Sequence, residues 1–210
     1  MKIVSTNIGN KVSFDWSGKT VETGIFKKPV NVPILLGHTD VANDTVCDRE
    51  NHGGIDKACY FYGANHYSFW KEKYPNLKFE FGMFGENITL DNIDETIIRI
   101  GNIYQVGNAI VQISEPRIPC FKLGYKFNAQ LIIKEFINSS YSGFYVRILK
   151  EGTVTVGDEF KLIEQNNNDF SVEDAFSLLS YNKNNQLLLE MLKNEPLLGN
   201  EYRKSILKRI

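Results

Sequence analysis

The sequence predicts a mainly β domain folded as a β-barrel, followed by a small helical segment. Short runs rich in Val, Ile, Thr and aromatic residues, separated by Gly, Asn and Asp, extend to about residue 165. Gly-Asn and Gly-Asp between alternating apolar residues predict tight turns. After the Asn-rich stretch LIEQNNNDF, helical patterns begin. Because a barrel removes the exposed edges of a many-stranded sheet, we predict a barrel domain over residues 1–165 and a helical domain over 169–210.

The candidate strands follow one another along the first domain with few interruptions. Each is a short run enriched in β-branched and aromatic residues. In chain order they are KIVSTNI, KVSFDW, ACYFY, NITL, TIIRI, NIYQVG, AIVQIS, GFYVRIL and TVTVGDEFKLI. In GFYVRIL, the two-residue period of a strand places Tyr145 and Arg147 on one face and the apolar residues on the other.

Two helices are predicted within the β domain. In ANHYSFWKEKYP, Tyr67, Trp70 and Tyr74 recur at helical spacing, and a proline ends the pattern. The stretch FNAQLIIKEFINS has the same periodicity. In the C-terminal segment, Ser171 opens SVED, which resembles a capping box, and two or three short helices follow. These helices serve to cover the barrel or to form a homodimer, and the sequence leaves both roles open.

Composition and charge indicate a folded protein with no preference for polyanions. Hydrophobic residues make up 42% of the chain and charged residues 23%, and the formal net charge is -1. Nucleic-acid polymers and anionic membranes attract a basic excess, so neither is expected as a partner. The chain starts without a signal-peptide pattern and has no apolar run near the ~20 residues that a membrane span needs. We therefore expect a cytoplasmic protein with reduced thiols at Cys47, Cys59 and Cys120.

The strongest candidate for a reactive group is Cys120 in EPRIPCFKLG. Arg117 and Lys122 lie close to it in sequence, and a neighbouring cation lowers the pKa of a thiol. Pro119, directly before it, restricts the backbone and holds the thiol in place. A buried cysteine at the end of a strand is the alternative, and the pattern alone leaves it open. Cys59 is predicted to be a small core residue, and no role is assigned to the remaining cysteine.

Three further stretches carry polar residues suited to a bound ligand. In NHGGIDKACYFY, Gly53 and its neighbour let the backbone after His52 approach an anion, and Lys57 adds positive charge. Asn87, in FGMFGENITL, offers an amide that both donates and accepts hydrogen bonds. Arg147 lies between apolar residues and is costly to bury without a partner. It is therefore either a paired structural charge or a clamp for an anionic ligand.

Together these stretches resemble the MOSC domain family, the C-terminal domain of molybdenum cofactor sulfurases, in its stand-alone bacterial YiiM-type form. The resemblance follows HGGIDKACYFY, GMFGENITL, EPRIPCFKL and GFYVRILKEGTVTVGD along nearly the whole chain. It implies a β-barrel with a small three-helix C-terminal extension, and a Cys120 thiolate bound to molybdenum in a pterin cofactor, molybdopterin. The residues implied to grip this cofactor or line its pocket are Lys27, His52, Gly53, Lys57, Asn87, Arg117 and Arg147. The turn DVANDTVCD departs from the family pattern, because Asp40 and Asn43 replace glycines.

The resemblance implies an enzyme that reduces N-hydroxylated compounds, such as hydroxylaminopurine-type bases, to amines, independently of pyridoxal phosphate. The electrons would come from a separate reductase, because the sequence has no dinucleotide fingerprint and no iron–sulfur cysteine cluster. The alternative is a carrier that holds molybdenum cofactor or sulfur at Cys120 without reductase turnover. A cysteine hydrolase that uses Cys120 with His52 ranks last, since no matching motif supports it.

Overall fold

The protein is built on one large mixed β-sheet with helices around it. The computed structural model describes residues 1–209, apart from the side chains of residues 50 and 51. The strands are β1 Ile3–Gly9, β2 Val12–Trp16, β3 Lys19–Thr23, β4 Lys27–Val30, β5 Ile34–Leu36, β6 Cys59–Gly63, β7 Ile88–Leu90, β8 Ile103–Val106, β9 Ala109–Pro116, β10 Phe144–Lys150, β11 Gly152–Val154 and β12 Phe160–Glu164. The helices are α1 Arg49–His52, α2 Tyr67–Lys73, α3 Phe121–Lys126, α4 Leu131–Asn138, α5 Val172–Ser177, α6 Gln186–Asn194 and α7 Asn200–Leu207. The predicted mainly β class is confirmed.

The large sheet has eight strands in the order β12-β8-β9-β10-β6-β7-β1-β4. Its pairs are antiparallel except β6 with β7, which run parallel. Two small antiparallel sheets, β2 with β3 and β5 with β11, complete the β structure of the described chain. This order places β6, β9 and β10 side by side, and the ends of these strands carry the residues of the candidate site described below.

The predicted closed barrel is not confirmed. Within the described residues, the two edge strands β4 and β12 do not pair with each other. The sheet is nevertheless rolled, because an isolated bridge joins Lys2 to Glu159. The amide of Phe160 also donates to the carbonyl of Met1, at 2.8 Å. These contacts bring the start of β1 to the start of β12, so the fold is a strongly rolled open sheet.

One predicted strand, TIIRI, does not form. Residues 95–97 lie in a turn instead, and Arg99 makes only an isolated bridge with Ser171. Ile98 and Ile100 are nevertheless buried in the main core. The apolar alternation of this run therefore reflects packing of an irregular segment, which periodicity alone does not distinguish from a strand.

Strand β6 separates two apolar clusters because it is buried on both faces. Its alternation sends Cys59 and Phe61 into the main core, whereas Tyr60 and Tyr62 face an aromatic cluster beside α2, α3 and α4. In that cluster, Trp70 Nε1 donates to the Tyr62 hydroxyl at 2.7 Å, which satisfies both polar atoms. The continuous apolar run ACYFY is thus explained by two-sided burial.

The C-terminal segment packs on the same core as the sheet. Leu192, Tyr202 and Ile206 belong to the main core cluster together with residues of the central strands. Helix α5 begins with the predicted capping box, in which the Ser171 side chain accepts from the amide of Asp174 and the Asp174 side chain accepts in return. The division into domains at residues 165–169 stays a prediction. None of the helices in residues 1–209 has the length and apolarity of a membrane span.

Replacing Gly143 by alanine is expected to lower the free energy of unfolding. Gly143 precedes β10 with φ at 60°, and an added Cβ would lie 2.3 Å from the Phe61 carbonyl oxygen. The left-handed conformation alone costs about 1–3 kcal/mol for a non-glycine residue, and the clash adds to it. Gly18→Ala is the matched control, because Gly18 has φ at 77° with no neighbouring atom within 4 Å of the new Cβ. Equal losses of stability in denaturant unfolding would contradict the contribution of the clash.

Candidate functional site

Two adjoining cavities open at one end of the central strands. The first, called the inner cleft, has a volume of about 650 Å³. It is lined by Thr23, Gly24, Ile25, Lys27, Asp44, Thr45, Val46, Cys47, Asp48, His52, Lys57, Ala58, Tyr60, Gly85, Asn87, Arg117, Cys120, Lys122 and Tyr145. The second, called the outer groove, has a volume of about 1310 Å³ and is bounded by α7 and by residues 115–121. Both cavities are lined by Asp48, His52, Lys57, Cys120 and Tyr145.

Cys120 lies where the two cavities meet. It is the N-cap residue of α3, in extended conformation, and its carbonyl accepts from the amide of Leu123 at 2.9 Å. Strand β9 ends at Pro116 and Pro119 directly precedes Cys120, so the chain leaves the sheet before the helix begins. The thiol-bearing residue is half-buried rather than enclosed in the core. A ligand in either cavity therefore has access to it.

Arg117 supplies a buried cation with an unused donor. The residue is 5% exposed, and its guanidinium carbon lies 5.1 Å from the Tyr60 ring centroid and 5.5 Å from that of Phe136. Its Nη1 atom has no hydrogen-bond partner among the described residues. Burial lowers the pKa of Arg117, but Tyr60, Tyr145 and Cys120 together raise it by more, so the group stays charged. A buried donor without a partner is costly, so this atom is a candidate contact for an anionic ligand.

The lysines at the site are already paired with carboxylates. Lys27 contacts Asp44 in a short ion pair in which both side chains are nearly inaccessible to solvent. The other two pairs are Lys122 with Asp48, at 3.1 Å, and Lys57 with Glu115, at 3.5 Å. These contacts give the ammonium group of each of the three lysines a carboxyl partner within the chain.

Asn87 positions one of these carboxylates. Its Nδ2 donates to Asp44 Oδ2 at 2.9 Å, and its Oδ1 accepts from the amide of Tyr60 at 3.4 Å. Asn87 therefore joins β6 to the ion pair of Lys27 with Asp44 along one wall of the inner cleft.

His52 is the last residue of α1, and its imidazole is uncharged near neutral pH. Burial lowers the pKa of His52 to about 4, and the cation of Lys122 contributes in the same direction. Asp48, whose Oδ2 lies 3.9 Å from His52 Nε2, only partly offsets these effects. The imidazole therefore offers one donor and one acceptor nitrogen to a ligand.

Two of the residues implied by the resemblance lie outside the lining of both cavities. Gly53 follows α1, and an added Cβ there would lie 3.3 Å from Val46 Cγ1, so its role in this fold is close packing. Arg147 Nε donates to Asp56 Oδ1 at 2.6 Å, and its Nη1 donates to the carbonyl of Leu197 at 2.6 Å. This placement favours the paired structural charge over the anion clamp. A cofactor role for either residue stays a prediction.

The sequence reasoning did not assign Tyr60, Tyr145 or Cys47 to the site. Tyr60 and Tyr145 are register partners on β6 and β10, and their rings lie 5.1 Å apart. Both line the inner cleft beside Arg117, and Cys47 lines the same cleft. The alternation in ACYFY places Tyr60 opposite Cys59, but strand pairing, which the local pattern does not specify, brings it to Tyr145.

His52 is expected to titrate far below an ordinary histidine. At pH 6, where a free imidazole is largely protonated, ring-nitrogen NMR shifts of His52 should still report the neutral form, because its pKa is about 4. The His52→Gln variant assigns the resonance, because the His52 signal is missing from its spectrum. A His52 resonance with a midpoint near 6.5 would contradict the electrostatic account.

Comparisons with known proteins agree with the fold. The MOSC domain family matches residues 48–161. The protein YflK of Bacillus subtilis, which is uncharacterized, is 33% identical over 207 residues, covering 99% of this chain and 93% of YflK. A protein of Gibberella moniliformis named a reductase is 31% identical over 151 residues, which cover 70% of this chain and 27% of that protein. The crystal structure of YiiM from Geobacillus stearothermophilus superposes with a TM-score of 0.81 at 31% identity, covering 99% of this chain and 98% of that one. The chain belongs to the MOSC domain family.

Proposed function

We propose that this protein binds molybdenum cofactor with Cys120 as the metal ligand and reduces N-hydroxylated compounds, such as hydroxylaminopurine-type bases, to amines. The observation that carries the proposal is the meeting of Cys120 with Arg117 at the inner cleft. The half-buried Cys120 and the buried Arg117, whose Nη1 has no hydrogen-bond partner among the described residues, both line the inner cleft. A soft thiolate and a strong anion donor are the two protein groups that a sulfur-coordinated metal on an anionic organic carrier requires.

The residues of the inner cleft offer aromatic and polar groups of the kinds that such a cofactor needs. The rings of Tyr60 and Tyr145 give one wall an aromatic surface. The Lys27 and Asp44 pair, held by Asn87, also lines the cleft and offers fixed polar atoms. Flat aromatic surfaces with a few oriented polar groups are typical of sites for ring-containing cofactors.

When bound, the cofactor supplies the two-electron chemistry that breaks an N–O bond. The chain's own residues hold and orient the reactants. Arg117 would hold the anionic part of the cofactor, because its guanidinium stays charged and its Nη1 has no hydrogen-bond partner among the described residues. His52 lines both cavities as a neutral imidazole, so it can accept a hydrogen bond from the substrate. We propose that a separate reductase delivers the electrons, and the relative named a reductase supports oxidoreductase activity in this family.

A carrier of molybdenum cofactor or sulfur is the second candidate. The observation in its favour is that each lysine already contacts a carboxyl group of the chain, so no ammonium group depends on a ligand for a partner. A lining of this kind suits reversible loading and release as well as permanent occupancy. The two candidates differ only in turnover.

The test combines metal analysis with an activity assay on the same preparation. Protein purified from cells that make molybdenum cofactor should contain molybdenum and should reduce 6-hydroxylaminopurine to adenine with a flavoprotein electron donor. Molybdenum without turnover would favour the carrier. Protein that binds no molybdenum, even after incubation with released cofactor, would contradict both candidates.

A further inference from the structure

Glu115 is a buried carboxyl group that lines the outer groove and has one unused oxygen. Its side chain is 3% exposed, and its Oε1 lies 3.5 Å from Lys57 Nζ. The other oxygen, Oε2, has no hydrogen-bond partner among the described residues. Glu115 and Lys57 both line the outer groove, which Cys120 joins to the inner cleft. An unsatisfied buried carboxyl beside a candidate reactive centre is unusual, because most such groups are fully hydrogen-bonded.

The surroundings of Glu115 hold the carboxyl in place without supplying a donor to Oε2. Gly199, before α7, approaches so closely that an added Cβ would lie 2.0 Å from Oε2. The amide of Gly199 donates to the carbonyl of Ser114 at 3.1 Å, which fixes this approach. The titratable groups that interact with Glu115 come from three other elements: Asp56 and Lys57 of the 55–57 turn, Tyr145 and Arg147 of β10, and Tyr202 of α7.

These surroundings leave Glu115 poised between its protonated and ionised forms. Burial raises the pKa of Glu115 to about 7, Asp56 raises it further, and Lys57 and Arg147 oppose the rise. A general acid is most effective when its pKa lies near the working pH, because its protonated form is then populated and still releases the proton readily.

Reduction of an N-hydroxyl group consumes two electrons and two protons, because R–NHOH becomes R–NH₂ and water. The N–O bond breaks, and its oxygen leaves well only after protonation. We propose that Glu115 donates one of the two protons to the departing oxygen, from the outer-groove side of Cys120, and that water in the groove supplies the other to the nitrogen. The carboxylate left behind is stabilised by Lys57 and regains its proton from water in the groove. The electrons come from the reductase partner already proposed, so this inference rests on the proposed function.

The decisive variant is Glu115→Gln, which keeps the size of the side chain and removes its proton. The control is Glu164→Gln, the same change at an exposed position at the end of β12. We expect Glu115→Gln to retain its molybdenum and to lose turnover by about 100-fold or more, the usual contribution of a general acid. In wild type, kcat/KM should fall as the pH rises through about 7, and the variant should lack this limb. Glu115→Asp should restore part of the turnover together with the limb.

Carbon NMR of glutamate-labelled protein measures the titration of Glu115 without an activity assay. The spectrum should contain one carboxyl titration centred near pH 7 that disappears in Glu115→Gln and persists in the control variant. A Glu115 carboxyl that titrates near 4.5, or wild-type turnover and an unchanged pH profile in Glu115→Gln, would overturn the proton-donor role while leaving the reductase intact. Lack of turnover in loaded wild-type protein would instead overturn the proposed function, and the proton-donor role with it.

Discussion

The Cys120→Ser variant is expected to lose both molybdenum and N-hydroxyl reduction. Serine keeps the shape of the site but replaces a soft thiolate by a hard hydroxyl that stays protonated near neutral pH. Substitution of residues that only support a metal ligand already costs roughly 10–100-fold in metal affinity, so loss of the ligand itself should exceed this. Inductively coupled plasma analysis of the purified variant measures the metal, and the 6-hydroxylaminopurine assay measures the activity.

The same change at Cys47 is the matched control for Cys120. Cys47 also lines the inner cleft and is half-buried, but burial and the carboxylate of Glu22 raise the pKa of its thiol, which disfavours the thiolate that a metal needs. The Cys47→Ser variant should therefore keep its molybdenum and its turnover. Full metal content and activity in Cys120→Ser would show that the thiol is not the ligand, whereas equal losses in both variants would point to a general effect of polar substitution in the cleft.

The Arg117→Met variant is expected to separate cofactor binding from stability. Methionine fills much of the space between Tyr60 and Phe136 and has no charge to desolvate. A hydrogen bond from a charged donor contributes about 1.5–3 kcal/mol, so cofactor affinity should fall by roughly 10- to 100-fold. The cofactor-free variant should unfold at the same temperature as wild type or higher, because the buried, unpartnered Nη1 donor is gone.

The control for Arg117 is Arg99→Met. Arg99 is partly exposed and pairs with Asp169, outside the lining of both cavities. That variant should retain cofactor and should change little in stability, since exposed ion pairs contribute about 0–1 kcal/mol. Reduced stability of Arg117→Met with unchanged cofactor affinity would be the opposite of the expected pattern, and it would make Arg117 a structural residue only.

The parts of the fold that follow from local patterns were predictable from the sequence. The apolar run ACYFY indicates a buried strand, and SVED indicates the start of α5 at Ser171. Both signals lie within a few residues of the structure that they specify. The TIIRI run has an equally good local pattern but forms no strand, because no neighbouring segment pairs with it beyond the bridge at Arg99.

The site was less predictable, since most of its contacts join residues distant in the chain. The pair of Lys122 with Asp48 spans 74 positions, and that of Lys57 with Glu115 depends on β9 meeting the 55–57 turn. PRIPC located Cys120 and Arg117 because one short stretch holds both. The two-residue period of a strand predicts that Tyr145 and Arg147 share one face of β10. In the structure only Tyr145 lines the cleft, where it pairs in register with Tyr60 of β6, and the local pattern does not specify that register.

The pairing of Lys27, Lys57 and Lys122 with carboxyl groups of the chain affects which anions the cleft can bind. Inorganic phosphate, nucleotides and other abundant metabolites meet ammonium groups that are already occupied, so charge alone gives them little advantage over water. Under the proposed function, the cofactor would engage the sulfur of Cys120 and the Nη1 of Arg117, which has no hydrogen-bond partner among the described residues. We therefore expect the empty cleft to bind common cellular anions weakly compared with a ligand that also coordinates the sulfur of Cys120.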